Sequence, residues 1–145
     1  GRFGKTTIAH RLPNKGHIVN ILPAQALYYH ATASGLAFMA AAQDETVNRI
    51  LDEDLEKLTE ATVIERSAVC CLVKQFRTLG YSHTVGTFED GVSSIGKAFF
   101  RVKDEPAGAL ALALPKNDLT EARRDALLPV LEEAVARIER ALTGA

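Results

Sequence analysis

The chain has 145 residues and a formal net charge of −1. That length suits one domain, which buries about 68–70% of its unfolded surface and needs no disulfide or metal staple. A composition of 47% hydrophobic and 24% charged residues excludes a disordered tail, and no apolar run reaches membrane-spanning length. The near-neutral balance also argues against a domain that grips nucleic acid by itself, because phosphate contacts need a basic stripe. Arg123, Arg124, Arg137 and Arg140 share one stretch with Glu121, Asp125, Glu132, Glu133 and Glu139, the pattern of a solvated helix face.

Residues 5–12 alternate loosely, Pro13-Asn14-Lys15-Gly16 is a turn signal, and residues 17–22 form another short extended run, so a hairpin is expected. Thr32 is placed to cap a helix over residues 33–42, which is rich in small residues that allow close approach. Asp44 is placed to cap the next helix, in which Val47, Ile50, Leu51, Leu55 and Leu58 recur at helical spacing. A third helix is predicted from Ile64 to Leu79 and stopped by Gly80, with Ile64, Ala68, Cys71, Leu72, Phe76 and Leu79 on its inner face. Cys70 and Cys71 are helical neighbours pointing about 100° apart, so they do not bridge each other.

Three extended segments follow, at 81–88, 92–102 and 107–114, separated by Gly91 and by Asp104-Glu105-Pro106. The run Ala107 to Leu114 has no polar side chain and reads as a central strand buried on both faces. The last helix spans Thr120 to Leu142, with Leu127, Leu131, Ala134, Val135, Ile138 and Leu142 as its apolar stripe and Pro129 as a kink or a break between turns. Strands, helices, strands, helix is the order of an α+β fold with an antiparallel sheet flanked by helices.

Several stretches, in order, resemble the effector-binding domain of IclR-type transcriptional regulators. They are His30-Ala31-Thr32-Ala33-Ser34-Gly35-Leu36-Ala37, Met39-Ala40, Thr59 with Thr62, Arg77-Thr78-Leu79-Gly80-Tyr81-Ser82, Gly91-Val92-Ser93-Ser94-Ile95-Gly96, and Leu119-Thr120 after the apolar strand. The resemblance implies a GAF-like domain over residues 1–145 that holds a small organic effector between its sheet and the segment around Ser34. It also implies a homodimer or homotetramer, and DNA contact only through a winged helix-turn-helix that lies outside this chain, as does the domain's first helix; the unbridged Cys70 and Cys71 suggest a reducing cytoplasm, and neither a cofactor nor a membrane is expected. The alternative is a stand-alone GAF-like binding module that does not act on DNA.

The resemblance places effector contacts at Ala33, Ser34, Thr84, Ser94, Ala111 and Ala113, with Val19 on the second extended run. Ala33 and Ser34 would offer backbone N–H groups to a carboxylate at a helix start, where donors are unpaired and the dipole is positive. Thr84 stands where the family often has an acidic residue, so a charged acceptor becomes a neutral hydroxyl. His83 beside it is a partial substitute, or simply an exposed histidine at a strand edge. Ser94 can donate or accept one hydrogen bond, and Ala111 and Ala113 face one way along a strand. Such a lining suits a molecule with one anionic or carbonyl end and an apolar or aromatic body.

Gly4-Lys5-Thr6-Thr7 resembles the end of a phosphate-binding loop, but the helix that should follow reads as a strand. His10, His17, His30 and His83 are scattered, with no nucleophile elbow or carboxylate pair, so an enzyme is not expected. His30 reads as a structural part of its turn. The opening Gly1-Arg2-Phe3-Gly4-Lys5 does not read as a signal peptide.

Overall fold

A computed structural model describes the backbone of residues 5–7, 13–14, 17–18 and 26–27 and the whole of residues 28–144. Short strands β1 (Lys5–Thr7), β2 (Pro13–Asn14), β3 (His17–Ile18) and β4 (Ala26–Tyr28) precede helices α1 (Ala33–Ala41), α2 (Asp44–Leu51) and α3 (Arg66–Leu79). Strands β5 (Ser82–Val85), β6 (Val92–Val102) and β7 (Glu105–Pro115), a 3₁₀ turn (Lys116–Asp118) and helix α4 (Glu121–Thr143) complete the chain. β1 pairs with β4, and a five-stranded antiparallel sheet runs in the order β2-β3-β7-β6-β5. The expected α+β architecture, an antiparallel sheet flanked by helices, is what the chain adopts.

The sheet separates two cores. On one side Leu36, Met39 and Ala40 of α1 pack with Val47, Ile50 and Leu51 of α2 and with Val69, Val73 and Phe76 of α3. On the other side Ile95 and Leu114 meet Leu127 and Leu131 of α4, with Leu110, Leu112, Leu119 and Leu128 around them. The period-2 alternation of β7 explains the division: its leucines face α4, and Ala109, Ala111 and Ala113 face the α1 side. Ala109, Ala111 and Ala113 are half-buried, as are Leu110 and Leu112, and only Leu114 is fully buried, so the strand is not the one buried on both faces that its composition suggested.

Side chains cap the starts of α1 and α4 but not those of α2 and α3. Thr32 accepts from the Gly35 amide at the start of α1, and Thr120 accepts from the Arg123 amide at the start of α4. Asp44 is not a cap. Gln43 holds that position without a side-chain bond, and Asp44 opens the first turn, where its charge suits the helix dipole. The inner face of α3 is also partly displaced from expectation: Phe76 is buried as expected but together with Val69 and Val73, whereas Ile64, Cys71 and Leu79 are exposed. Helix α4 continues through Pro129, which lies on its exposed side and has no N–H to offer the carbonyl four residues back.

Near the far end of the β6–β7 ribbon the register shifts between Phe99 and Phe100, a β-bulge. The Phe100 amide donates to Glu139 Oε2 of α4 at 2.7 Å. A charged acceptor from the helix thus partners the amide at the irregularity.

Candidate functional site

The site begins with how α1 meets the sheet. The Ala31 carbonyl accepts from Thr87 Oγ1 at 2.7 Å, just past the end of β5. Two residues on, the Ala33 carbonyl accepts from Ser82 Oγ and lies against Gly96 of β6. The chain therefore enters α1 from the β5–β6 turn end of the sheet and runs inward over Gly96. A Cβ at Gly96 would stand 2.6 Å from the Ala33 oxygen, and one at Gly35 would stand 2.4 Å from the Tyr29 Cα. Both contacts are with backbone, so only glycine permits the approach.

Helix amides point back along the axis toward the N-terminus, and here that direction is the turn end of the sheet. Register places Thr84 opposite Ser94, and Ser94 opposite Ala113, in one row across β5, β6 and β7. Ser82, Gly96 and Ala111 form the adjacent row on the same face. Thr84 and Ser82 are buried, Ser94, Ala111 and Ala113 half-buried, and Ala33 and Ser34 buried above them. Six of the seven residues marked in the sequence thus gather on one side of the sheet. The seventh, Val19, lies outside the described residues.

Hydrogen bonding divides the polar groups there into two sets. Thr32 Oγ1 donates to the Tyr28 carbonyl while accepting from Gly35, and Ser82, Thr59, Thr62 and Thr87 each donate to a backbone carbonyl. Ser93, on the α4 side of the sheet, donates within the sheet. By contrast, the hydroxyls of Ser34, Thr84 and Ser94 and the amides of Ala33 and Ser34 have no hydrogen-bond partner among the described residues. The three hydroxyls are not enclosed, since Arg124 Nε is the one buried side-chain polar atom without a partner among the described residues, so they and the two amides are free to bond with solvent.

His83 does not belong to this set. It projects to the opposite side of β5 from Thr84, half-buried, with its ring edge-on to Phe76 at 5.2 Å. Burial, and secondarily the nearby Arg124 guanidinium, hold its pKa below the usual histidine value. It is neither a substitute for the acidic residue nor a bare strand-edge group. His30 is structural: its buried ring donates from Nε2 to the Glu56 carbonyl at 2.7 Å, tying the turn before α1 to the α2–α3 segment.

Sequence reasoning missed Arg77 and Thr87. Arg77 reaches from α3 to donate to the Ala40 and Ala42 carbonyls and to pair with Asp44, closing the C-terminal end of α1. Its position in the last turn of a helix gave no hint of that target. An open depression of about 490 Å³ lined by Asn117, Asp118, Thr120, Ala122, Arg123 and Ala126 lies on the α4 side, away from the row of small residues. Among the described residues no group of three metal-ligating side chains gathers, and no helix is long and apolar enough to cross a membrane.

Comparison with known proteins agrees with this architecture. A protein from Silicibacter sp. TM1040 assigned as an IclR transcriptional regulator superposes with a TM-score of 0.78 at 29% identity, covering 88% of this chain and 50% of that one. The Thermotoga maritima IclR superposes with a TM-score of 0.80 at 20% identity, covering 86% and 51%. An IclR homologue from Microbacterium hydrocarbonoxydans, solved in complex with 4-hydroxybenzoate, gives 0.74 at 21% identity, covering 93% and 60%. The chain spans about half the length of the first solved structures it matches. A comparison with curated proteins found no match. The family model for the C-terminal part of the bacterial transcriptional regulator IclR matches residues 24–140, so the chain belongs to the IclR family of transcriptional regulators and represents its C-terminal domain.

Proposed function

We propose that the chain is the effector-sensing and self-associating domain of a bacterial regulator, and that it binds a small organic acid with an apolar or aromatic body. The observation that carries this reading is the set of unpaired polar groups around the turn end of α1. Two amides at a positive helix end suit a carboxylate. The Ser34, Thr84 and Ser94 hydroxyls suit a second polar point, and the methyl groups of Ala111 and Ala113 suit contact with a ring or chain. No charged side chain stands in this row, which disfavours multiply charged guests because a buried charge needs a partner. The 4-hydroxybenzoate held by one structural neighbour is a molecule of this class.

The effector acts by population shift: it favours one dimer or tetramer arrangement, and the spacing of winged helix-turn-helix heads outside this chain follows. The protein works in the cytoplasm, touches DNA only through those heads, and catalyses nothing. Native mass spectrometry against a panel of aromatic and aliphatic acids tests the reading. A bound acid is expected to be lost in Thr84→Arg and Ala111→Asp. Binding by both variants as tight as in the parent overturns the assignment of the site.

A further inference from the structure

The start of α1 is held from behind by hydroxyls whose protons are all committed. Thr62 Oγ1 accepts from the amides of Leu58 at 3.1 Å and Thr59 at 2.8 Å, so its own proton goes to the Thr87 carbonyl at 2.7 Å. Thr59 Oγ1 donates to the Gly86 carbonyl. The backbone of residues 86–87 is thereby fixed to the α2–α3 segment. From that fixed point Thr87 Oγ1 donates to the Ala31 carbonyl at 2.7 Å, one residue before the cap of α1 and two before the unpaired Ala33 amide. The Ala31 and Thr32 amides both donate to the Tyr28 carbonyl, and the Thr32 hydroxyl does the same, so the turn is bound to β4 on its other side.

We propose that Thr87 is a positioning residue of the effector site, setting the direction of the Ala33 and Ser34 amides, with Thr62 supporting it. This rests on the effector reading above. Thr87 does not lie in the row of small residues and does not touch the guest. It acts through the Ala31 carbonyl, whose displacement turns the next peptide planes. Its contribution is therefore specific to the anionic end of the guest, where amide direction decides hydrogen-bond strength.

The test uses the full chain with 4-hydroxybenzoate and its uncharged carboxamide as probes. In Thr87→Val the preference for the acid over the amide is expected to fall about three- to tenfold, the equivalent of one hydrogen bond, and Thr87→Ser is expected to restore it. Without any ligand, hydrogen exchange at the Gly35 and Leu36 amides in the first turn of α1 is expected to quicken by a similar factor, while Leu131 and Val135 in α4 stay unchanged. An unaltered acid-to-amide preference, or quickened exchange throughout the molecule, overturns the positioning role, as does a Thr87→Val chain that no longer folds. If the parent binds neither probe, the effector reading loses its support, and the exchange measurement alone decides whether Thr87 orients the turn.

Discussion

His83 is the residue whose chemistry most directly reaches a bulk measurement. Burial, then the Arg124 charge, depress its pKa in the folded chain, whereas in the unfolded chain it titrates near the usual value of about 6.5. Above that value both states carry neutral imidazole and stability is flat from this source. As pH falls below it, the unfolded chain takes up the proton first, so stability declines until pH passes the lower folded value and then levels. Urea midpoints measured from pH 8 to pH 5 are expected to show this decline, and Phe substituted at His83 is expected to flatten it. An equal slope in both proteins removes His83 as the cause. Gly96 gives a second prediction at this scale. Gly96→Ala forces a methyl group against the Ala33 carbonyl, and because backbone is the obstruction the cost is expected at the upper end of about 1–3 kcal/mol for overpacking, read from urea unfolding.

At the scale of elements, α1 is a short helix fastened at both ends. Thr32 closes its start and Arg77 its finish. Thr32→Ala is expected to cost about 1 kcal/mol, the usual value of a lost cap. Arg77→Leu, which removes charged donors from two carbonyls, is expected to cost about 1.5–3 kcal/mol, less the share solvent recovers at its exposed tip. Both are measurable by denaturant titration, and an Arg77 variant as stable as the parent refutes its role at the α1–α2 junction. Thr32 as a cap and Gly80 as a stop were legible because each depends on one residue type at one position, whereas Asp44 fits a cap and a first-turn acid equally well and proved to be the latter. The inner face of α3 was not legible. Ile64, Cys71 and Leu79 fit a helical stripe with Phe76 as well as Val69 and Val73 do. Apolar spacing alone does not choose between two stripes when helix and sheet neighbours on each side decide which is covered. The partial burial of β7 on both faces was illegible for a similar reason, since an unbroken apolar run looks the same however well it is covered.

For the molecule as a whole, one sheet carries two independent cores, and the candidate site belongs to only one of them. Leu131, fully buried against Ile95 and Leu114 on the α4 side, is expected to cost about 2–5 kcal/mol when replaced by Ala, yet to leave the affinity of any bound acid for folded protein nearly unchanged. Calorimetric titration below the melting temperature checks this, and a large loss of affinity would tie the two sides together. The order of strands and helices made the fold class readable, and the alternation of β7 put Ala111 and Ala113 on one side before any coordinates. That Thr84, Ser94 and Ala113 share a row was beyond the sequence, because register between strands depends on turn lengths and bulges that composition does not encode. The backbone contacts beneath α1 carry one more consequence, for anyone who varies the proposed effector site. A mutant library has freedom at Thr84, Ser94, Ala111 and Ala113, but one that reaches Gly35 or Gly96 dismantles the seat it is trying to reshape.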